Sequence, residues 1–333
     1  MKRTHKTRKP ARGRVRNVLA LCIASAVATF IHWNCDPVIS GTDPEFQPAS
    51  ITAAPRMLLP PPPALPEALE SETTDEAVAA QNEQTADTAE PGVLRGKMAT
   101  LLNVLLLKQG CANFERIPDY SATLHRQERI GGDLRDPETL VLKLRHEPYS
   151  IYMKWQSGDA GRQLIYVEGQ NDGKLLVQPG GFKGRLTGVL SLDPNGSLAM
   201  SECRYPVTKA GLLELARTIL EYREEDLERG TGSTCVMYPD QMLNDRPCYL
   251  FIVEYESPEV NSLYRKTIVY VDKELQMPTC IRNYTWGRDV DPEKIDDETL
   301  IEYYCYTDIE MNTQLADADF DAANRKYRLR VRR

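Results

Sequence analysis

Between residues 139 and 146 apolar and polar positions alternate: Leu140, Leu142 and Leu144 fall on one face, Lys143 and Arg145 on the other. A period of two is that of a half-buried β-strand. The same grammar predicts strands over 120–130, 150–156, 162–168, 175–178 and 189–192, with Asn171-Asp172-Gly173 turning one hairpin. The densest β signal runs from 247 to 285, where three runs rich in β-branched and aromatic residues are broken at 257–262 and 272–276. This is an antiparallel meander, and a last strand is predicted near 299–311. Two stretches switch to helical spacing. In 96–116, Met98, Leu101, Leu102, Leu105 and Leu106 recur at three and four residues, and Pro118 ends the run. In 208–228, Leu212, Leu215, Ala216, Ile219 and Leu220 form one stripe, with Thr208 as the expected N-cap and Gly230 as the stop. The order is helix, about six strands, helix, about five strands. It predicts an α+β fold: a strongly curved antiparallel sheet, an incomplete barrel of about 11 strands, with two helices packed on its concave side. No second core announces itself, so 93–330 reads as a single domain, its tail 317–329 a short helix or an extended arm.

Charge divides the rest of the 333-residue chain. Met1 to Asn17 holds eight Lys and Arg and no acid, and residues 18–31 are an uncharged, mostly apolar run of fourteen. That suits a signal-peptide core and is short for a spanning helix, which needs about 20 residues. Residues 1–35 are therefore read as a signal peptide, with a small-x-small site at Ala26-Val27-Ala28, or as an uncleaved anchor holding the protein to a membrane. The residues before Cys22 and Cys35 do not form a lipoprotein box. Residues 36–92 carry eleven Asp and Glu against one Arg and four consecutive prolines, Pro60 to Pro63. Such a segment cannot bury enough apolar surface to offset its ordering entropy, and it reads as a disordered linker, either a spacer or a plain leader. The remainder has a mild acidic excess and no basic field, which excludes nucleic acid as a partner. An exported protein of the periplasm or cell envelope is expected.

A resemblance enters at the meander. Val271-Asp272 to Pro278 resembles the hairpin of the lipoprotein-carrier half-barrels, in which the Asp opens the turn and the Pro begins the next strand where its missing N–H is tolerated. More closely, Phe114 to Tyr120, Pro148 to Trp155, Pro206 to Leu212 and Asp317 to Tyr327 resemble a DUF1571-type family of exported planctomycete proteins of unknown function. That resemblance spans about 94–329 and implies the half-barrel fold. The family has no assigned activity, so it implies no catalytic residues.

Candidate chemistry is sparse. His125 and His146 are the only histidines of the folded part and sit beside cationic residues, the setting of surface strand positions rather than of a metal or catalytic pair. Glu254, Glu256, Glu302 and Asp308 are scattered on strands. Cross-strand pairing, for instance with Lys266 or Arg282, explains them more simply than a hydrolase pair. The passage 180–188 lacks any nucleotide-binding spacing and reads as a flexible loop or a bulged strand, and no cofactor is expected. Six cysteines remain in the folded part. No C-x-x-C occurs, and they are either free and buried or paired in an oxidising compartment, with Cys235, Cys248, Cys280 and Cys305 as the named candidates and Cys280 opposite Cys305 if residue 286 pairs near 299. Aromatic residues concentrate on strands. Leu142, Met153, Trp155, Tyr166, Phe251, Tyr255 and Tyr270 are placed to line either a dry core or an apolar cavity. The leading expectation is a non-enzymatic, membrane-proximal binding protein that holds a lipid or a lipidated protein. A protein-interaction or sensor module without lipid, and an envelope hydrolase, are the alternatives.

Overall fold

The computed structural model describes residues 91–288 and 290–329. The predicted leader and nearly all of the linker lie outside these residues. Among those described, no helix is long and apolar enough to cross a membrane.

The elements follow in order as β1 (Leu94–Arg95), α1 (Lys97–Phe114), β2 (Asp119–Ile130), β3 (Asp133–Leu134), β4 (Glu138–Arg145), β5 (Ser150–Trp155), β6 (Gln163–Val167), β7 (Leu175–Gln178), α2 (Gly181–Thr187), β8 (Leu190–Leu192), α3 (Ser197–Met200), α4 (Leu212–Arg229), β9 (Ser233–Leu243), β10 (Arg246–Tyr255), β11 (Lys266–Asp272), β12 (Pro278–Tyr284), α5 (Ile295–Thr299) and β13 (Leu300–Met311). The strands form one curved, open, antiparallel sheet in the order β1-β9-β10-β11-β12-β13-β2-β4-β5-β6-β7-β8, with β3 paired to β2. Two meanders are thus joined at the centre by β13 and β2, whose register sets Glu302 opposite Glu128 and Tyr306 opposite Leu124. Ten of the strands lie where the sequence pattern puts them; β9, at no predicted position, completes the expected number of about five after α4, and β1 and β3 are two-residue additions.

The meander hairpin closes as its sequence predicts. Asp272 is fully buried, and its Oδ1 accepts the N–H groups of Glu274 and Leu275, each at 2.9 Å. Gln276 takes φ +54°, and Pro278 opens β12. Arg246 on β10 holds the outer carboxylate oxygen of Asp272.

Both helices differ from the sequence reading. α1 buries Ala99, Thr100, Asn103, Val104, Leu107, Gly110, Cys111 and Phe114, while Met98 and Leu105 of the expected stripe are 60% and 55% exposed. The helix is apolar on most sides, so spacing alone does not choose the face. Packing does: a Cβ on Gly110 would lie 2.0 Å from the Gln276 carbonyl oxygen, so this is where helix and sheet come closest. α4 begins at Leu212, not Thr208, which lies in a separate 3-10 turn, Val207–Lys209. Gly211 takes φ +105°, and the Leu212 N–H donates to the Tyr120 hydroxyl at 2.9 Å. A residue far away in sequence caps the helix, so no local N-cap is needed. The far end stops at Gly230 in the left-handed conformation, as expected. The glycine-rich passage is neither loop nor bulged strand but contains the short helix α2.

Alternation sorts the core. One face of the sheet packs with α1 and α4 around Leu107, Phe114, Leu142, Phe251, Val269 and Ile219. The opposite face of the central meander buries Leu250, Ile268, Tyr270, Cys280 and Cys305. On β5 and β6 that opposite face is covered by the C-terminal arm. Phe320 packs on Ile165, Tyr327 stacks on Tyr152 at 4.1 Å, and Lys143 pairs with Asp319 at 2.5 Å.

Cysteine placement corrects part of the disulfide expectation. The six cysteines of the described residues are free. Cys235 belongs to the helix-side core and Cys248 to the opposite face, and the register pairs Cys235 with Val253, so these two do not face each other. Cys280 and Cys305 are direct cross-strand partners, and Thr285 N–H donates to the Thr299 carbonyl in the neighbouring pairing. The contact between the two thiols lowers Cys305 and raises Cys280 from the ordinary thiol value.

Candidate functional site: a cavity between α4 and the sheet

On the β2 side of the sheet α4 does not close onto the strands. It leaves a cavity of about 620 Å³, within the range of ligand pockets, roughly 300–1,000 Å³. Period-two alternation supplies its floor: Leu124 from β2, Met153 and Trp155 from β5, Leu164 from β6, Leu175 and Val177 from β7, Tyr304 and Tyr306 from β13. Its roof is Leu215, Ile219 and Tyr222 of α4, and its rim is the segment 190–211, including Leu192, Leu198, Tyr205 and Val207.

Of the residues placed by sequence on a concave apolar surface, Met153 and Trp155 line this space. Leu142, Tyr166, Phe251 and Tyr255 are buried in the same helix-side core but lie outside the cavity wall. Tyr255 is engaged instead by the buried Arg223–Asp226 pair of α4. Tyr270 points to the opposite face: Val269 and Val271 on either side of it face the helices, and a period of two turns Tyr270 away. The histidines are half-buried rather than fully exposed. His125 sits between the hydroxyls of Thr139 and Thr307, at 3.2 and 3.3 Å, and His146 packs on Phe114 and Tyr120; burial lowers both. Glu254 pairs across the strands with Lys266 at 3.7 Å, as charge matching predicts.

One end of the cavity is polar. Glu302, 2% exposed, accepts from Arg204 Nε at 2.7 Å, from the hydroxyls of Tyr264 and Tyr205 at 2.9 and 3.2 Å, and from Asn283 Nδ2 at 2.5 Å. Glu128 accepts from the Tyr304 hydroxyl and lies 3.6 Å from Arg126, whose Nε donates to Glu138 at 2.6 Å. Burial pushes the Tyr264 and Tyr304 hydroxyls up, so both remain donors at any ordinary pH. Glu302 and Glu128 are cross-strand neighbours, yet every group around them donates to them. A general acid must itself give a proton, and this pair is arranged to receive hydrogen bonds. Arg126 and Glu128 are two residues apart on β2 and both face inward. Charged residues at core-side positions of a strand were the signal for this cluster in the sequence. Among the described residues no group of three or more His, Cys, Asp or Glu is arranged to hold a metal ion.

The family model described as a protein of unknown function, DUF1571, matches residues 117–329, more than half of the chain. The chain belongs to this family. The match begins after α1 and takes in the whole cavity wall. No curated protein matches the chain. Among solved structures the chain is similar to a DUF1329 family protein from Desulfovibrio piger, at 10% identity and a TM-score of 0.32, covering 67% of this chain and 97% of that one. It is also similar to a putative outer membrane lipoprotein-sorting protein domain from Vibrio parahaemolyticus, at 12% identity and a TM-score of 0.31, with 67% and 97% covered. A third is the Mycobacterium tuberculosis lipoprotein LppX, at 9% identity and a TM-score of 0.38, with 66% and 99% covered.

Proposed function

We propose that this DUF1571 member is an exported, membrane-proximal binding protein that holds an apolar ligand, an acyl chain or the lipid group of a partner, between α4 and the sheet. The observation that carries the reading is the cavity itself: about 620 Å³ bounded by Leu124, Met153, Leu164, Leu175 and Val177 below and Ile219 above. Burial of hydrocarbon contributes about 0.8 kcal/mol per methylene, so roughly ten buried methylenes give about 8 kcal/mol, the free energy of a micromolar complex. No covalent step is involved. Export rests on the basic run followed by the apolar segment at 18–31.

Native mass spectrometry of protein extracted from its own envelope tests this. A co-purifying mass in the lipid range is expected. Val177→Phe, which fills the cavity from β7, should remove that mass while shifting Tm by less than about 4 °C, the effect of about 1 kcal/mol in a domain of this size. Wild-type protein that carries no lipid and takes none up from vesicles would sink the reading, and would favour the interaction module instead. The hydrolase reading draws on one observation, the facing carboxylates Glu128 and Glu302 on the cavity wall. It requires that Glu302→Gln abolish turnover of some bound ester, whereas the binding reading expects no turnover to lose.

A further inference from the structure

The cavity is apolar over most of its surface, but the polar atoms left without a partner on its wall are not balanced. Three are donors, Trp155 Nε1, Arg162 Nε and Arg223 Nε, and one is an acceptor, Asn283 Oδ1. These atoms lack partners among the described residues. A buried donor left unmade is costly, so a wall with an excess of them fits a ligand that accepts. Two of the donors are neighbours. Trp155, 3% exposed, ends β5, and its backbone N–H donates to the Arg162 carbonyl at the start of the next strand, at 3.0 Å. The Arg162 guanidinium stands 4.9 Å from the indole centroid, and Arg126 lies 5.5 Å from the same ring.

The two arginines are held differently. Arg126 is locked to Glu138 at 2.6 Å and faces Glu128. Among the described residues Arg162 forms its ion pair with Glu202, which is 58% exposed and lies on the rim segment; an ion pair with so exposed a partner is weak and easily exchanged. Several acids elsewhere on the wall are already engaged: Glu128 and Glu302 by guanidinium and phenol donors, Glu214 by Lys209 and Arg217, Asp159 by the Gly180 N–H at 3.4 Å. Arg162 is therefore a largely buried cation with an exchangeable partner, next to the unpartnered Trp155 N–H at the edge of a hydrocarbon-sized space.

We propose that the ligand is an amphiphile with an anionic head, a carboxylate or a phosphate monoester, seated on the Arg162 guanidinium and the Trp155 indole N–H with its chain along the apolar floor. The inference rests on the apolar-ligand reading above and adds the chemistry of the head. Glu202 is displaced outward as the head enters, so the ion pair is exchanged rather than lost.

Calorimetric titration of the full chain with hexadecanoate, hexadecyl phosphate and methyl hexadecanoate tests it. Hexadecanoate and hexadecyl phosphate should bind about tenfold or more tightly than the methyl ester, because a charge-assisted hydrogen bond is roughly twice as strong as a neutral one. The tighter of the two anions identifies the source of the head. Arg162→Met, which keeps the apolar stem, should bring all three ligands to within about threefold of one another, chiefly by weakening the two anions. Trp155→Phe should weaken the anions about threefold more than it weakens the methyl ester. Equal binding of anions and ester by the wild type, or an Arg162→Met variant that keeps the full preference, overturns the anionic head and leaves the apolar-ligand reading standing. If none of the three binds, both fall together.

Discussion

The two long helices cover the same sheet and do opposite things. α1 packs tightly against the meander half: Leu107, Cys111 and Phe114 bury with Phe251, Val271 and Met277, and Gly110 lets the backbone reach the 276 turn. Neither α1, β9 nor β10 contributes a residue to the cavity. α4, packed beside α1, meets the sheet at β12 and stands off the β2 to β8 half, leaving the cavity below. Hydrophobic burial is non-directional and would close both halves alike. The difference lies in what the interface must also hold. Under α4 the wall carries Glu128, Glu302, Arg126 and Arg162, whose charges need partners at fixed distances and cannot be squeezed out. Under α1 the buried face is mostly apolar, with Thr100 and Asn103 as its uncharged polar members.

That contrast is broken or sharpened by paired truncations. Phe251→Ala in the filled half should cost about 4 kcal/mol, since a new void opens in a close-packed site. Met153→Ala, which only enlarges an existing cavity, should cost no more than about 2 kcal/mol. Equal losses in urea denaturation would mean that the two halves are not packed differently.

Gly110→Ala is the next largest. A methyl group directed at the Gln276 carbonyl should cost about 3 kcal/mol by overpacking, even though alanine is the better helix former. A variant as stable as the wild type would show that α1 has room to retreat, and that the filled half is looser than described.

The smallest effect is on pH. Burial lowers His125 and His146 below the usual value near 6.5. The unfolded chain therefore binds protons more readily than the folded one below that pH. The stability linked to these groups is present above pH 6.5 and is lost as pH falls through the lower, folded values. Between pH 7.5 and 5 the loss should be small for each, both rings being only half-buried. His146, packed on Phe114 of α1 and Tyr120 of β2, reports the seam between α1 and the β2 end of the sheet, and His125, between Thr139 and Thr307, reports the sheet's opposite face. His146→Gln and His125→Gln should each remove part of the slope in denaturation curves taken across that range; an unchanged slope in both would place the titration elsewhere.

Local sequence determined what depends on local geometry. Alternation at Leu140, Leu142 and Leu144 fixed a strand and its inward face, and the meander from Asp272 to Pro278 specified its own turn through an Asx bond and a proline placed where no N–H is required. Period two also carried Met153 and Trp155 to the cavity and made Cys280 oppose Cys305 once the strands paired. Tertiary structure decided the rest. The buried face of α1 was chosen by the close approach at Gly110, because a helix apolar on most sides has no single stripe to read. The start of α4 was set by the Tyr120 hydroxyl, about ninety residues away, rather than by Thr208. Tyr270 was assigned to the wrong face because an aromatic residue on a strand buried on both sides carries no mark of direction. The polar wall was only partly legible for a related reason: Arg126 and Glu128 stand at core-side positions of β2, but Arg162 lies in the turn before β6 and Glu302 on β13, and the pairing of β13 with β2, a contact between residues nearly two hundred positions apart, is what sets Glu302 beside Glu128.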